Sequence, residues 1–499
     1  MTEDKNEFAS RTVHRRQTPG AERAPRWNYW KSVPGEEMRK FGNQLPYNAR
    51  MSRAWVVMLH KHDVIECETA QKLLRALRDA DEEAGHLIEP WLKEKLAGDE
   101  DTASAVNLGR TTQEPMARMQ LRDIMLDVFD VLHDAMAVTL DKSEETADAM
   151  MAGSTHFSHA QPTTYGAYLL AVHDPLSRGL EQLELAYRTT NMNSGGCGAC
   201  SGPGWPVDRE MITELLGFDR TVEPTCDCES SYDHVTQILF ALSSIAITLA
   251  RTTLDHEIWT LEAMMTHEVA PQWQGVSSLM PQKAHSGGIF ENIRIPCNEV
   301  IGEMETAVNS LKAEPIQDTL IIKHSPQYAM KGCGTIQRAL GVWSEILPTL
   351  RIDRERMKEI VREGYSGAPD LVIKLVRDLD YAKRQAHRIC CNFVRLARER
   401  GIEPAGMTGE LLDEAADVTG EPGPGLSTED VQDAMGLETF FEKHRCLGSP
   451  APEETLRLVA KRREALEKAR RRQGERRERL EEAKKLLRGE VEAIIGEGS

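Results

Sequence analysis

Aromatic side chains are scarce in this sequence, at 5% of 499 residues, although 40% of the residues are hydrophobic. Long stretches consist of Ala, Leu, Glu, Lys and Arg, which favour helix over sheet. A chain of this length exceeds what one hydrophobic core usually serves, so we expect two to four domains with a large buried interior. The composition therefore predicts an all-α protein of several domains.

An excess of basic charge is also absent. The 79 acidic residues outnumber the 61 basic ones, which gives a net charge of −18. A protein that wraps nucleic acid or binds an anionic membrane needs the opposite balance. We therefore expect no nucleic acid partner, while a few Lys and Arg side chains can still form a cleft for a small anion.

The sequence has neither a leader-like start nor a long apolar run. Met1–Ser10 contains three acidic residues and no apolar stretch, and the longest helix-like apolar run, Ile238–Ala250, is too short to span a bilayer. The ten cysteines are irregularly spaced, with an adjacent pair at Cys390 and Cys391, and do not form a disulfide framework. These features predict a cytoplasmic protein with reduced thiols and no membrane partner.

Apolar residues recur at helical spacing along most of the chain after an irregular N-terminal arm, residues 1–50. One predicted helix, around Val235–Leu249, is apolar around much of its circumference, which is typical of the middle of a bundle. Other long helices are predicted at 55–80, 81–97, 118–151, 164–189 and 288–312. We expect an N-terminal helical domain (1–105), a central long-helix bundle domain (106–350), a C-terminal helical domain (351–452) and a charged helical tail (453–499).

The tail is almost entirely Glu, Lys, Arg, Ala and Leu. Acid–base pairs such as Glu464–Lys468 and Glu481–Lys485 stand at helical spacing. Such charge-rich runs are usually solvated surfaces, so this pattern predicts one long, exposed or coiled helix without chemistry of its own.

The segment Gly275-Val-Ser-Ser-Leu-Met-Pro-Gln-Lys283 combines two hydroxyls and a lysine in a glycine-flanked loop before a predicted helix. Backbone N–H groups near a helix N-terminus, together with a lysine, can hold an anion and lower the pKa of a serine hydroxyl, which makes it a usable base. Ser and Gly are also favoured in an ordinary capping loop. Both interpretations stand on the residues alone.

Two further segments lie at the ends of predicted helices. Thr155-His-Phe-Ser-His-Ala-Gln-Pro162 places a threonine beside His156, and histidine carries protons near neutral pH. Asn107-Leu-Gly-Arg-Thr-Thr-Gln113 offers an arginine and polar side chains that suit a carboxylate. Each segment also fits a plain helix start. Because all three segments lie at helix ends, we expect that they can converge on one site.

A metal site is disfavoured in both places where the residue types allow one. His156 and His159 have no acidic third ligand at a recognisable spacing. Cys197-Gly-Ala-Cys200 and Cys226-Asp-Cys228 contain enough thiols for a zinc site, but the first pair lies in a Gly/Ser run where cysteine also serves as a small residue. We therefore expect no metal and no cofactor.

The three segments, in this order, resemble the three signature regions of the argininosuccinate lyase, fumarase and aspartase superfamily. The most specific is Ser277-Ser-Leu-Met-Pro-Gln-Lys283, whose Met-Pro-Gln-Lys form is similar to the argininosuccinate lyase branch. The resemblance covers nearly all of residues 1–455 and leaves out only the tail. It implies an all-α, three-domain lyase fold, with a twenty-helix core in a homotetramer whose active sites are each built by three subunits.

The resemblance also implies roles for individual residues. Ser277 is the expected base, which removes a proton from the carbon beside a carboxylate to give an aci-carboxylate intermediate, and Lys283 holds that carboxylate. Thr155 and His156 match the leaving-group side, and Glu291 matches the carboxylate that pairs with the histidine. The remaining expected substrate-binding residues are Arg110, Thr111, Thr112, Gln113, Gln161, Ser278 and His285.

Several positions depart from the family pattern. Val276 stands for the glycine before the paired serines, and Ala284-His-Ser286 stands for the Lys-Asn-Pro that follows the lysine. Thr111-Thr-Gln-Glu-Pro115 replaces the branch's Ser-Arg-Asn-Asp-Gln. After Pro315, where argininosuccinate lyases carry a tyrosine and a glutamine that face the urea-derived half, this chain has Ile316-Gln-Asp-Thr-Leu. The proton-transfer residues are kept, whereas the leaving-group pocket differs.

These residues predict a fumarate-forming C–N lyase that acts by β-elimination on a small dicarboxylate. An N-substituted aspartate, an aminopolycarboxylate or a nitro-substituted succinate fits the altered pocket. Three alternatives remain: argininosuccinate lyase proper, a fumarase-type C–O lyase, which Gln282 disfavours, and a non-catalytic scaffold that keeps the fold without the activity.

Overall fold

The computed structural model describes residues 45–78, 80, 88–110, 115–275, 277–280 and 288–497. This part is mostly helical, and its strands form small two-stranded sheets, so the predicted all-α class is confirmed. The N-terminal region contains α1 Leu45–Lys61, α2 Cys67–Leu77, α3 Ile88–Lys95 and α4 Glu100–Ala105. The long helices are α5 Met116–Glu145, α6 Tyr165–Thr190, α9 Asp233–Trp259, α10 Gly288–Leu311 and α12 Pro326–Ile346.

Shorter elements connect and follow these helices. Between them lie α7 Arg209–Leu216, α8 Thr225–Ser230 and α11 Leu320–His324. The C-terminal region contains α13 Arg354–Glu363, α14 Ala368–Asp378, α15 Lys383–Glu399, α16 Gly409–Thr419, α17 Thr428–Ala434, α18 Phe440–Lys443 and the tail helix α19 Pro452–Gly496. The strand pairs are antiparallel β1 Met150–Thr155 with β2 Ser158–Thr164, parallel β3 Met192–Asn193 with β4 Arg220–Thr221, and antiparallel β5 His267–Glu268 with β6 Arg351–Ile352.

The long helices pack around one apolar core with α9 at its centre. The predicted inner face of α9 is buried, including Ile238, Leu242, Ile245 and Leu249. Its length and apolar composition would also let α9 cross a membrane, but 56% of its most apolar window is buried inside the protein, as is typical of a core helix. Three apolar residues of α9, Phe240, Ile247 and Leu254, form an exposed stripe.

The bundle has two distinct ends. At one end the β1–β2 hairpin follows α5 and leads into α6, and the Tyr165 hydroxyl is 2.7 Å from His256 Nε2 near the end of α9. We call this the hairpin end. At the other end Arg118 of α5 donates to Thr189 O and Ser231 Oγ, both at 2.8 Å, and so joins the start of α5 to the end of α6 and the start of α9. Arg110 precedes α5 here, so we call it the Arg110 end.

The tail is one long helix, as predicted, but it is not a free one. Val459, Leu466, Ala469 and Leu480 contribute to the bundle core, and Leu487, Val491 and Ile494 contribute to the N-terminal core. The tail helix runs antiparallel to α5, because residues later in the tail pair with residues earlier in α5. The ion pairs that follow this course are Arg463–Asp141, Arg470–Asp134 and Arg477–Asp127 to α5, and Arg462–Asp174 and Arg476–Glu184 to α6.

Four expectations about element positions need correction. Residues 45–50, assigned to an irregular arm, already belong to α1, and the helix predicted at 55–80 is broken after Lys61, where Asp63 has a left-handed φ of +56°. The helix predicted at 118–151 ends at Glu145, because Met150 and Met151 enter β1. Glu481 pairs with Lys484 in place of Lys485, whereas the Glu464–Lys468 pair forms as predicted. The rest of the arm, residues 1–44, lies outside the described residues.

Candidate active site

Thr155 and His156 lie at the tip of the β1–β2 hairpin. Thr155 pairs with Ser158, so His156 and Phe157 form a two-residue turn, and both have positive φ, at +53° and +58°. Such values fit the primed turns that close tight hairpins, but side chains other than Gly, Asn and Asp rarely adopt them. Strained backbone of this kind is common at functional sites. Both predicted residues are exposed, and the Phe157 side chain is 94% exposed.

Two close contacts hold the hairpin. A Cβ on Gly153 would lie 2.4 Å from the carbonyl oxygen of Gln161, so the two strands approach at a point where only glycine fits. On the other side, a Cβ on Gly364 would lie 1.7 Å from His159 Nδ1. The loop between α13 and α14 therefore packs directly on the hairpin that carries Thr155 and His156. The Gln161 side chain itself is exposed.

The serine loop begins from a fixed support. The Trp273 indole is buried and donates to Thr349 Oγ1 at 3.1 Å, and the Gln274 amide donates to Val269 O at 2.8 Å. Ser277 is half-buried, and its Oγ accepts a 3.0 Å hydrogen bond from the Met280 N–H. A backbone donor on this oxygen stabilises negative charge there, which favours a base.

Of the remaining predicted residues on this side, some are exposed and others lie outside the described residues. Ser278 is exposed, and the Leu279 side chain is 81% exposed. Lys283 and His285 lie outside the described residues. Glu291 is exposed in the first turn of α10, beside the buried Phe290. Within the described part of one chain, no hydrogen bond joins Glu291 to His156.

Arg110 lies apart from these groups. Its guanidinium donates to Ser52 Oγ at 2.9 Å and lies over the Trp55 ring, and the Trp55 indole donates to Leu108 O at 2.9 Å. Gly109 has a φ of +76°, and its Cα faces Trp205 so closely that a Cβ would lie 3.2 Å from the indole. The Arg110 side chain is thus held by α1, at the Arg110 end. Thr111, Thr112 and Gln113 lie outside the described residues.

The structure therefore does not bring all three segments together in one chain. The 30 residues of α5 separate Arg110 from the hairpin, and at 1.5 Å per residue they span about 45 Å. Ser277, Thr155, His156 and Glu291 lie at the hairpin end. Within one chain the two segments that flank α5 lie at its opposite ends, so their convergence on one site requires more than one subunit and stays a prediction.

The four cysteines considered for zinc form two hydrogen-bonded pairs, Cys197 with Cys228 and Cys200 with Cys226. A hydrogen bond from Cys197 and the neighbouring Arg209, whose Nη2 is 3.0 Å from Cys228 Sγ, lower the pKa of the Cys228 thiol. Burial and a hydrogen bond with Cys226 raise the pKa of Cys200. These four thiols do not gather around one centre, and in the described part of the chain the three-residue group with metal-compatible spacing is His60, Cys67 and Glu497.

Sequence reasoning missed the buried support of the hairpin end. Tyr165, His256 and His267 lie there below the predicted catalytic segments, and all three are buried. The available signal was a concentration of aromatic and histidine residues close to the motifs, at Tyr165, Tyr168, His256, Trp259 and His267. A cavity of about 430 Å³ was also unforeseen; it lies in the C-terminal region, lined by Tyr365, Ser366 and Met435 among others.

Comparison with known proteins identifies the family of the chain. A family model described as lyase matches residues 40–302. The argininosuccinate lyase of Pelotomaculum thermopropionicum is 30% identical over 84% of this chain and 92% of that protein, and that of Methanothrix thermoacetophila is 29% identical over 85% and 88%.

Solved structures extend the comparison. EDDS lyase in complex with formate superposes with a TM-score of 0.88 at 26% identity and covers 98% of both chains. A variant of EDDS lyase with bound fumarate gives the same values. This likeness includes most of the tail, contrary to the expectation that the tail falls outside it. A class II fumarase from Schistosoma mansoni, with a TM-score of 0.65 at 14% identity, shares the fold. The chain belongs to the argininosuccinate lyase, fumarase and aspartase superfamily, in its argininosuccinate lyase-like branch, and is a carbon–nitrogen lyase.

Proposed function

We propose that the protein catalyses β-elimination of an N-substituted aspartate, or a related substituted succinate, to fumarate and an amine. Ser277, as its alkoxide, removes a proton from the carbon beside a carboxylate. The electron pair moves into that carboxylate and gives an aci-carboxylate, which Lys283 stabilises. The pair then returns to form the double bond of fumarate while the C–N bond breaks, and the amine takes its proton from the side of Thr155 and His156.

The arrangement at the hairpin end carries this proposal. A half-buried serine oxygen that already accepts a backbone N–H lies on the same end of the bundle as an exposed histidine and an exposed glutamate. An elimination needs a base and a proton donor on different sides of the substrate, and these groups come from separate segments. The EDDS lyase structure with bound fumarate supports a dicarboxylate product of this kind.

We infer that the active enzyme is a homotetramer with active sites shared between subunits. Arg110 lies about 45 Å from the hairpin, at the other end of α5, so a complete site needs the Arg110 end of another copy. The central helix α9 and the residues after it offer a surface for this contact: Phe240, Ile247, Leu254 and Leu261 are about half exposed and recur every seven residues. Exposed apolar stripes of this regularity on a helix mark contacts between helices.

Replacement of the proposed base tests the reaction. Ser277→Ala should abolish formation of adducts from fumarate and a panel of amines, including diamines, as followed by mass spectrometry. The loss should be about 100- to 10,000-fold, as for other general bases. Ser310→Ala, on the far half of α10, is the matched control and should keep full activity. Activity of Ser277→Ala within a few-fold of the unsubstituted enzyme would assign the base to another residue.

Disruption of the stripe tests the assembly. Leu254→Glu should convert the tetramer to smaller species in light-scattering measurements and abolish activity, because a charge is then buried without a partner. Leu456, on the tail, is similarly exposed at 43% against 48% for Leu254, so Leu456→Glu is the control. A tetrameric, fully active Leu254→Glu variant would rule out this face as the interface.

We also propose that the enzyme works in the cytoplasm. Its net charge of −18 argues against nucleic acid or an anionic membrane as partner.

A further inference from the structure

A fully buried histidine lies at the hairpin end of the bundle. His256 Nδ1 is 2.7 Å from Thr252 O, and its Nε2 is 2.7 Å from the Tyr165 hydroxyl oxygen. A carbonyl oxygen only accepts, so Nδ1 carries the proton and Nε2 accepts the hydroxyl proton of Tyr165. Burial lowers the pKa of His256 to about 4, so the ring is neutral near pH 7. Both ring nitrogens are therefore satisfied in one fixed orientation.

His256 contacts each segment that carries a proposed catalytic group. Tyr165 is the first residue of α6 and directly follows the hairpin of Thr155 and His156. The Phe290 ring, 5.6 Å from His256 between centroids, adjoins Glu291. The His267 ring lies 5.7 Å from His256 and 4.8 Å from Tyr165, in the strand ten residues before Ser277.

The same ring also joins the remaining bundle helices. Trp343 of α12 lies 5.4 Å from His256 between centroids, and its indole donates to Thr139 Oγ1 of α5 at 3.1 Å. Side chains from α6, α10 and α12 thus meet around this imidazole of α9, and Trp343 links it onward to α5. An aliphatic side chain would fill this volume without the cost of burying two polar nitrogens. Hydrogen bonds add what apolar packing lacks, a single fixed orientation.

We propose that His256 and the Tyr165 hydroxyl form a positioning pair for the elimination, which sets the starts of α6 and α10 and the strand before the serine loop relative to one another. The inference rests on the proposed function, because it assigns the pair to the alignment of Ser277, Thr155, His156 and Glu291. Neither member touches the substrate. Misalignment by about 1 Å from such a remote position can cost about 100-fold in rate.

Three variants separate positioning from simple packing. Tyr165→Phe removes one oxygen atom and leaves His256 Nε2 without its donor. His256→Leu removes both hydrogen bonds at similar volume, and His256→Gln keeps an oxygen that can accept from Tyr165. Tyr187→Phe, another buried tyrosine of α6 at the Arg110 end, is the control.

We expect kcat to fall about 10- to 100-fold in Tyr165→Phe and His256→Leu, with KM for fumarate within about threefold, because the groups that bind substrate are unchanged. His256→Gln should recover part of the loss, and Tyr165→Phe combined with His256→Leu should cost less than the product of the two single effects. Tyr187→Phe should retain full kcat. Equal losses in His256→Gln and His256→Leu, or unchanged kcat in Tyr165→Phe, would overturn the proposal.

Hydrogen exchange on the ligand-free enzyme supplies a readout that does not depend on turnover. Amides of the hairpin and of residues 267–280 should exchange faster in Tyr165→Phe, while the start of α9 at the Arg110 end should be unaffected. Uniformly faster exchange would show a packing role and overturn the positioning role. Ser277→Ala measured in parallel distinguishes the two hypotheses: an active Ser277→Ala enzyme contradicts the proposed function, whereas an inactive one beside a fully active Tyr165→Phe contradicts only the positioning pair.

Discussion

Gln473 of the tail donates its side-chain amide to the carbonyl oxygen of Leu126 on α5 at 2.8 Å. It is the one polar residue in a buried series that repeats every seven residues along α19, which consists of Val459, Leu466, Gln473, Leu480, Leu487 and Ile494. A single polar residue in such a seam fixes the register of two helices at some cost in stability. The Arg463–Asp141, Arg470–Asp134 and Arg477–Asp127 pairs follow the same register.

Two substitutions of Gln473 test whether its amide costs stability, as expected for a polar residue that fixes helix register. In the described part of the chain the Gln473 Oε1 has no hydrogen-bond partner, so Gln473→Leu should leave the melting temperature unchanged or raise it. Gln473→Ala should lower the free energy of unfolding by about 2 kcal/mol, because it leaves a cavity. Thermal and urea unfolding of the two variants test this. A Leu variant less stable than the Ala variant would contradict the expectation.

The contact between His159 and Gly364 predicts a large effect from one methyl group. In Gly364→Ala the new Cβ would lie 1.7 Å from His159 Nδ1, so the exposed His159 ring must move away or carry the hairpin with it. We expect activity to fall, by up to about 100-fold if His156 moves with the hairpin. Combining Gly364→Ala with His159→Ala should restore space and part of the activity. Gly474→Ala, where a Cβ meets open space, is the control and should be fully active.

Acid should destabilise the fold through its buried histidines. Burial lowers the pKa of His133 and of His256 to about 4, while an unfolded histidine has a pKa of about 6.5. Above pH 6.5 both states are neutral and stability is complete. Between about pH 6.5 and 4 only the unfolded state binds the proton, so stability is lost as pH falls, by about 3 kcal/mol for each histidine at the lower limit.

Urea unfolding at pH 7.5 and pH 5 measures this slope. The free energy of unfolding should differ less between pH 7.5 and pH 5 in His133→Gln than in the wild type, because one of the two histidines that bind a proton on unfolding is gone. This holds whatever the effect of the substitution on stability at pH 7.5. Ser310→Ala, which changes no group that titrates in this range, is the control and should leave the difference unchanged. Identical pH slopes in the wild type and His133→Gln would refute the assignment.

Argininosuccinate should be a poor substrate. The segment after Pro315 follows α10 at the Arg110 end, where it would face the hairpin end of another subunit, and the Ile316 side chain is 85% exposed. An apolar residue offers no hydrogen bond to the guanidinium-derived half of argininosuccinate. That half would therefore give up hydrogen bonds to water on binding without replacing them. Steady-state assays with argininosuccinate should give kcat/KM at least about 100-fold below that for the preferred substrate. Efficient cleavage of argininosuccinate would contradict this.

Much of the helical architecture follows from local pattern. The apolar circumference of Val235–Leu249 correctly predicts the central helix, and Thr419–Ser427 separates α16 from α17, where a Gly/Pro-rich linker is visible in the sequence. The hairpin was missed because its turn is His156–Phe157, without the Asn or Gly that marks such turns. The fifth long helix, Pro326–Ile346, was also not predicted.

The sequence identifies the segments of the candidate site, but the motifs alone do not say where each segment lies in the fold. Motifs indicate which residues belong together chemically, yet the direction of α5 decides that Arg110 and Thr155 lie at opposite ends of it. That separation was in fact implicit, since the two segments flank one predicted helix. The support from His256 could not be foreseen, because it depends on which faces of four helices meet.

The tail has a consequence for how the chain folds during synthesis. Leu487, Val491 and Ile494 complete the core around α1 and α2, and Gln71 donates to Ile494 O at 3.0 Å. Contacts across more than 400 positions cannot form until residues 487–494 have left the ribosome, so the nascent N-terminal region exposes an apolar surface for most of translation. Ribosome-bound chains shorter than about 480 residues should therefore be substrates for chaperones, and release of the tail should end that dependence.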